Sequence, residues 1–225
     1  WLPRQISITG GKHDLRRYSD SGAFLTEFLY EYICKTGDLK VLDEKIPWMD
    51  SAEENTLFEH VLKSFEHYLA PENIGEHGLV KIYEGDWLDA INRAGLEGRG
   101  ESVMVTCQLV MNLYYFAEII SCYDGKLTAL AQSYMERAEQ FKKALNEHAY
   151  NGKGFYNGAF NDGGKWFFSD KDEDGEERFY GSVNYYAILC GAADSEKTKS
   201  VLDKSKRLKD RGYRLFTPPF TKPLN

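Results

Sequence analysis

A chain of 225 residues can bury a substantial core, and that length favours one domain, residues 1–225, or a large piece of one. Its formal net charge of −7, with no Lys- or Arg-rich tract, excludes a nucleic-acid polyanion as the expected partner. Cys34, Cys107, Cys122 and Cys190 stand singly with no CxxC spacing, so reduced, mostly buried thiols and a cytoplasmic setting are expected. In chain order, residues 1–12 read as irregular, punctuated by Pro3 and Gly10-Gly11. Trp1-Leu2-Pro3-Arg4 has no signal-peptide design and no initiator Met, as in a piece of a longer chain or a processed product. Ser19 or Asp20 opens a helix whose apolar face is Phe24, Leu25, Phe28, Leu29, Tyr32 and Ile33, and Gly37 ends it. A short capped helix follows from Asp38, with a break at Pro47. A second long helix is predicted over Glu53 to Leu69, closed by Pro71. His60 and His67 lie seven apart near one face of it, and with no third ligand placed no metal site is expected there.

Residues Glu72 to Asp89 read as extended. Glu101 to Ser121 is apolar nearly all round, the pattern of a helix buried on most sides, and no run is read as a membrane span. Beyond Gly125, Lys126 to Tyr150 is an amphipathic, charged helix. The period changes over Gly154 to Ser169, where aromatic residues flank Asn161-Asp162-Gly163-Gly164, a β-hairpin signal. Asp170 to Gly175 imitates the start of a calcium loop, but its twelfth position is Gly181 where a bidentate Glu is needed, so a solvated acidic turn is expected. Ser182 to Ala193 and Ser195 to Lys209 complete the helices, and Arg214 to Pro219 is a proline-stopped extended segment. The fold class read from this order is all-α, built from helical hairpins, with one small β-hairpin.

The central stretch, His77 to Phe116, carries the chemistry. Gly85-Asp86-Trp87-Leu88-Asp89 leads through Gly95, Gly98 and Gly100 to Glu101-Ser102-Val103. Two carboxylates flanking an indole suit sugar processing: an acid moves a proton, and the indole offers a sugar ring a flat apolar face. On residue types alone, a cap and a core anchor is an equal reading. Asp86 reads better as a bracing carboxylate than as an acid. The glycines read as turning points, and no Walker-type Lys-Ser/Thr follows them.

GDWLDAINRAGLEGRGESV resembles the GDWND…GEGESV signature of the inverting glycoside phosphorylases, the cellobiose and chitobiose phosphorylase family. Weaker similarity covers most of the chain, including His13 to Asp20 (HDLRRYSD) and Phe216 to Phe220 (FTPPF). The resemblance implies part of an (α/α)6 toroid barrel. It also implies phosphorolysis of a β-linked di- or oligosaccharide, with inversion, to a sugar 1-phosphate. Asp89 takes the place of the general acid, and no second catalytic base is needed because inorganic phosphate, the co-substrate, is itself the nucleophile. Trp87, Arg17, Asp20, Asp86 and Glu101 take substrate-binding places. For Glu101 a favourable anion at a helix N-terminus is the stronger reading. No cofactor is implied, and a homodimer is. Two positions depart from the pattern: Leu88 where the family has Asn, and Ser21 where it has a second acid. The family's phosphate-binding His and Thr-Gly do not occur in this stretch. A non-catalytic carbohydrate-binding relative and an inverting hydrolase on the same barrel are the alternatives.

Overall fold

The computed structural model describes residues 3–221. Trp1 and Leu2 of the irregular N-terminal stretch lie outside the described residues. About half of the chain is helical, counting six α-helices among the described residues together with the short 3-10 and π turns, and short strands join them. The fold is therefore not purely helical: the expected hairpin is part of a four-stranded antiparallel sheet, and two smaller strand pairs accompany it.

Helix α1, Ser21–Thr36, begins one residue after Asp20 and stops where Gly37 takes φ 69°, its N–H donating to the Ile33 carbonyl. Strands β1 (Lys45–Pro47) and β2 (Glu54–Thr56) pair across the Pro47 break. The second helix consequently starts later than its composition predicts, at Leu57: α2 is Leu57–Leu69. Thr56 forms a capping box with Glu59, which satisfies free N–H groups at the new start and fixes it there.

Strand β3 (Val80–Lys81) pairs with β4 (Glu101–Ser102), β4 with β5 (Ala159–Phe160), and β5 with β6 (Trp166–Phe167). Glu101 thus lies in a strand rather than opening a helix. The N-cap of α3 (Val103–Tyr123) is Ser102, whose hydroxyl accepts from Val105 N–H. Helix α3 is long and apolar enough to cross a membrane, contrary to the sequence reading, yet most of its length is buried inside the fold. It is the central core helix. Around it pack α1, α4 (Thr128–Ala144) and α5 (Gly181–Leu189), with α3 and α4 the most extensive pair. Phe65, Phe116 and Tyr134 stack through the centre of this core. Helix α6 (Ser195–Ser205) covers α5, and β7 (Phe179–Tyr180) pairs with β8 (Phe216–Thr217).

Two readings are corrected by burial. Cys107 and Cys190 are buried, but Cys34 and Cys122 are exposed, and all four are free thiols. The acidic turn at 170–175 is not solvated throughout, because Asp172 is buried against the fully buried Arg178. Arg178 Nη1 lies 2.5 Å from Asp172 Oδ2 and Nη2 lies 2.8 Å from Asp174 Oδ2. Nε donates to the Pro218 carbonyl at 2.8 Å, and the guanidinium lies 4.0 Å from the Phe220 ring centroid. An internal guanidinium occupies the carboxylates that a cation would need, and it pins the FTPPF segment to β7.

Candidate active site

The turn that carries the expected chemistry is built from below. Gly85 ends an extended entry whose carbonyl accepts from Ser19 N–H at 2.9 Å, which joins the turn to the start of α1. Asp86 then folds back. Its Oδ1 accepts from Leu88 N–H at 2.9 Å and its Oδ2 from the Ser102 hydroxyl at 2.7 Å. This buried carboxylate braces the loop. Burial pushes its carboxyl up to about 6, although the hydrogen bonds from Ser102 and Leu88 oppose the rise. With Asp86 turned inward and Leu88 packed in the core, Trp87, Asp89 and Ala90 face outward, and the 3-10 turn Asp89–Ile91 returns to the core at Ile91. Trp87 is 51% exposed, so it is not a core indole.

Trp87 and Asp89 edge a cavity of about 690 Å³ that is also lined by Arg4, Asp20, Ser21, Phe24, Leu88 and Leu215. Four separate stretches of chain meet there: the N-terminal strap, the start of α1, the central turn and the approach to β8. Arg4 Nη2 donates to Asp89 Oδ1 at 3.0 Å, and Asn92 Nδ2 donates to the same oxygen at 3.2 Å. These contacts, the Arg4 one first, hold the Asp89 carboxyl below the usual carboxylate range. Asp89 is 72% exposed at its side chain, so this pair is a solvated one. Arg4 is anchored independently of Asp89. Its N–H donates to the Asp14 carbonyl at 3.0 Å and its guanidinium lies 4.0 Å from the centroid of the buried Tyr18 ring. Asp20 is buried at the N-cap of α1 without capping it, and desolvation raises its carboxyl.

The structure brings together Asp89, Trp87 and Asp20 of the expected residues, with Asp86 directly beneath. It does not bring Arg17 or Glu101 to this cavity. Arg17 is exposed with its guanidinium 4.1 Å from the Tyr83 ring centroid, and its N–H bonds the Glu84 carboxylate. Glu101 is buried in β4, where it accepts from His77 N–H at 3.0 Å and Leu79 N–H at 3.2 Å, with His77 Nδ1 2.5 Å away. It clamps the entry strand. Arg4, Phe24 and Leu215 are lining residues that sequence reasoning missed. Arg4 sits in irregular chain 85 positions from its partner, where no periodicity or spacing marks it.

The glycine-rich loop has a defined job. Asp162, in the β5–β6 turn, accepts from the N–H groups of Glu97 at 2.7 Å, Arg99 at 2.9 Å and Gly100 at 2.9 Å. The ring of amides that could cradle a phosphate is already filled by the chain's own carboxylate. Gly100 is required by space, because a Cβ there would come within 2.7 Å of the Ala94 carbonyl oxygen. His60 and His67 go to separate partners: His60 packs on Trp48 at 3.8 Å and its Nε2 is 3.0 Å from the Ile46 carbonyl, while His67 contacts Asn73.

Packed helices and short sheets, with a tryptophan-edged cavity that holds Asp20, Asp89 and Arg4, find their class by comparison. The chain matches the glycosyl hydrolase 94 superfamily, catalytic domain, over residues 1–225, and it belongs to that superfamily. It is 30% identical to the solabiose phosphorylase of Paenibacillus borealis over 98% of this chain and 27% of that protein. It is 31% identical to the cellobionic acid phosphorylase of Neurospora crassa over 91% of this chain and 25% of that protein. The chain therefore spans about a quarter of the length of these relatives. Among solved structures it is similar to the GH78 family rhamnosidase of Bacillus sp. GL1, with a TM-score of 0.67 and 17% identity over 89% of this chain and 18% of that one. That likeness concerns the fold alone.

Proposed function

We propose that this chain is part of the catalytic domain of an inverting glycoside phosphorylase, a segment of an (α/α)6 toroid, with Asp89 as its general acid. The substrate class is a β-linked di- or oligosaccharide, and inorganic phosphate is the acceptor. A phosphate oxygen bonds to the anomeric carbon, the glycosidic C–O bond breaks, and the Asp89 proton passes to the leaving oxygen. The same reading carries a homodimer in the cytoplasm. The observation that supports it is the meeting of Asp89, Trp87, Asp20 and Arg4 around one cavity.

Asp89 must be protonated to act. Arg4, which hydrogen-bonds it, favours its carboxylate form. A sugar substrate that displaces the Arg4 guanidinium from Asp89 raises the proton affinity of Asp89, which readies the acid. Trp87 offers its exposed face to a sugar ring, and Asp20 accepts from sugar hydroxyls. A non-catalytic carbohydrate-binding relative is the second reading, favoured by the low proton affinity of Asp89 and by Leu88 and Ser21. Phosphate-dependent release of sugar 1-phosphate by the full-length enzyme, abolished by Asp89→Asn, is the expected result. Undiminished release by that variant removes Asp89 from the role, and calorimetric sugar binding without turnover selects the second reading.

A further inference from the structure

We propose that Arg4 is the specificity-determining residue of this site: it receives a carboxylate carried by the leaving sugar, so that the disaccharide cleaved ends in an aldonic or a uronic acid. The inference rests on the reading of Asp89 as the general acid, because that reading fixes the side of the bond on which Arg4 stands. With inversion, phosphate attacks the anomeric carbon from the face opposite the departing oxygen, and the acid stands on the departing oxygen's side. Arg4 Nη2 lies 3.0 Å from Asp89 Oδ1, so its guanidinium stands with the leaving sugar and away from the incoming phosphate. An anion that pairs with Arg4 therefore belongs to the leaving sugar.

The N-terminal strap presents Arg4 in a form that suits a carboxylate. Its N–H donates to the Asp14 carbonyl at 3.0 Å, and Asp14 N–H donates back to the Gln5 carbonyl at 3.0 Å, which fixes the strap from both sides. The guanidinium lies 4.0 Å from the Tyr18 ring centroid, and Tyr18 is buried, so a fixed ring backs it. A guanidinium carries several N–H donors, and among the described residues Asp89 alone accepts from this one. The remaining donors suit a planar acceptor with two oxygens, which a carboxylate is and a sugar hydroxyl is not. The neighbouring arginines have other work. Arg16 donates to both oxygens of Asp14, and Arg17 lies over Tyr83, outside the cavity. Among the described residues Arg4 is thus the one cation that lines a cavity already holding Asp20 and Asp89. A neutral leaving sugar has no use for it, whereas an acidic one needs it to enter.

Recognition and chemistry are then linked through one exchange. The side chains of Arg4 and Asp89 are 27% and 72% exposed, so their pair is solvated and weak, and it gives way to a bidentate partner. As Arg4 turns to the substrate carboxylate it releases Asp89 to take up a proton. A phosphate oxygen bonds to the anomeric carbon and the glycosidic bond breaks. Its electron pair stays on the leaving oxygen, which takes the Asp89 proton. The products are a sugar 1-phosphate and a free sugar acid.

The test is calorimetric titration of the full-length enzyme with gluconate, with glucuronate and with glucose, at fixed ionic strength and with acetate as the control anion. One of the two sugar acids is expected to bind more tightly than glucose by about tenfold, and which of them does so separates the aldonic from the uronic terminus. Acetate is expected not to displace it. Arg4→Gln is expected to remove the preference and leave glucose binding unchanged, and Arg4→Lys, a point charge without the fork, to recover part of it. The absence of any preference for a sugar acid, full displacement by acetate, or a preference that survives Arg4→Gln overturns the proposal. These readouts need no turnover, so their failure is distinct from the failure of Asp89→Asn to abolish phosphorolysis.

Discussion

Removing Arg178 gives the sharpest measure of how the rim of the cavity is held. The side chains of Arg178 and Asp172 are 0% and 1% exposed, so replacing Arg178 by Met strands the Asp172 carboxylate in a dry site. Breaking a buried pair from one side costs about 3–5 kcal/mol, because the remaining charge keeps its desolvation penalty and loses its partner. Asp174, 26% exposed, recovers water and adds little. The Pro218 carbonyl also loses its donor. For a chain of this length each kcal/mol moves the melting temperature by roughly 2–4 °C, so Arg178→Met is expected to melt roughly 6–20 °C lower. Urea unfolding followed by circular dichroism gives the free energy. The pair Asp172→Asn and Arg178→Met, measured singly and together, isolates the coupling. A loss below about 1 kcal/mol for Arg178→Met, the size of a solvated surface pair, refutes the account.

Two further predictions concern the carboxylates of the site. The Asp86 carboxyl sits at about 6 in the fold against 3.8 as its ordinary value, so the native state binds this proton more tightly than the unfolded chain does. Its contribution to stability is therefore fullest below about pH 4 and is lost as pH rises through 6, by up to about 3 kcal/mol. Urea midpoints at pH 4 to 7 should show Asp86→Asn gaining on the parent across that window; parallel curves contradict the burial argument. Arg4→Gln removes the group that chiefly holds Asp89 low, so the Asp89 midpoint should rise towards the ordinary carboxylate value in an NMR titration, and an unchanged midpoint shows that Arg4 does not hold it.

What the sequence disclosed and what it withheld divide along physical lines. Helices α1 and α4 were legible because repeats at three and four residues mark an apolar face, although on α1 the face read from the sequence is only partly covered: Phe28 is 74% exposed, and Ala23, Thr26 and Leu29 are the side chains that reach the core. The start of α2 was misread because Glu53-Glu54-Asn55 carries no strand signal. Residues 54–56 become a strand only through pairing with Lys45–Pro47. Likewise Glu101 and Ser102 looked like the first turn of an apolar helix, but β3 and β5 on either side hold them extended. Strands two residues long have no period to read. At the site, Trp87 and Asp89 were legible from a long local motif, and the bracing role of Asp86 was anticipated from its place in the turn. Arg4 and Leu215 were not, because only folding brings residues from both ends of the chain to that motif. Arg17 and Glu101 were close in sequence to the right elements but point to other work, on Tyr83 and on the His77–Leu79 backbone.

The carboxylate of Asp162 sits at the tip of what looks like a disposable surface hairpin, yet three amides of the loop following Asp89 depend on it. That turn is consequently a poor place to splice in a tag or to open the chain for permutation. Lengthening it by even one residue would withdraw the anchor from a segment more than sixty positions earlier, and damage to the turn would register at the start of the strand that leads into the core helix.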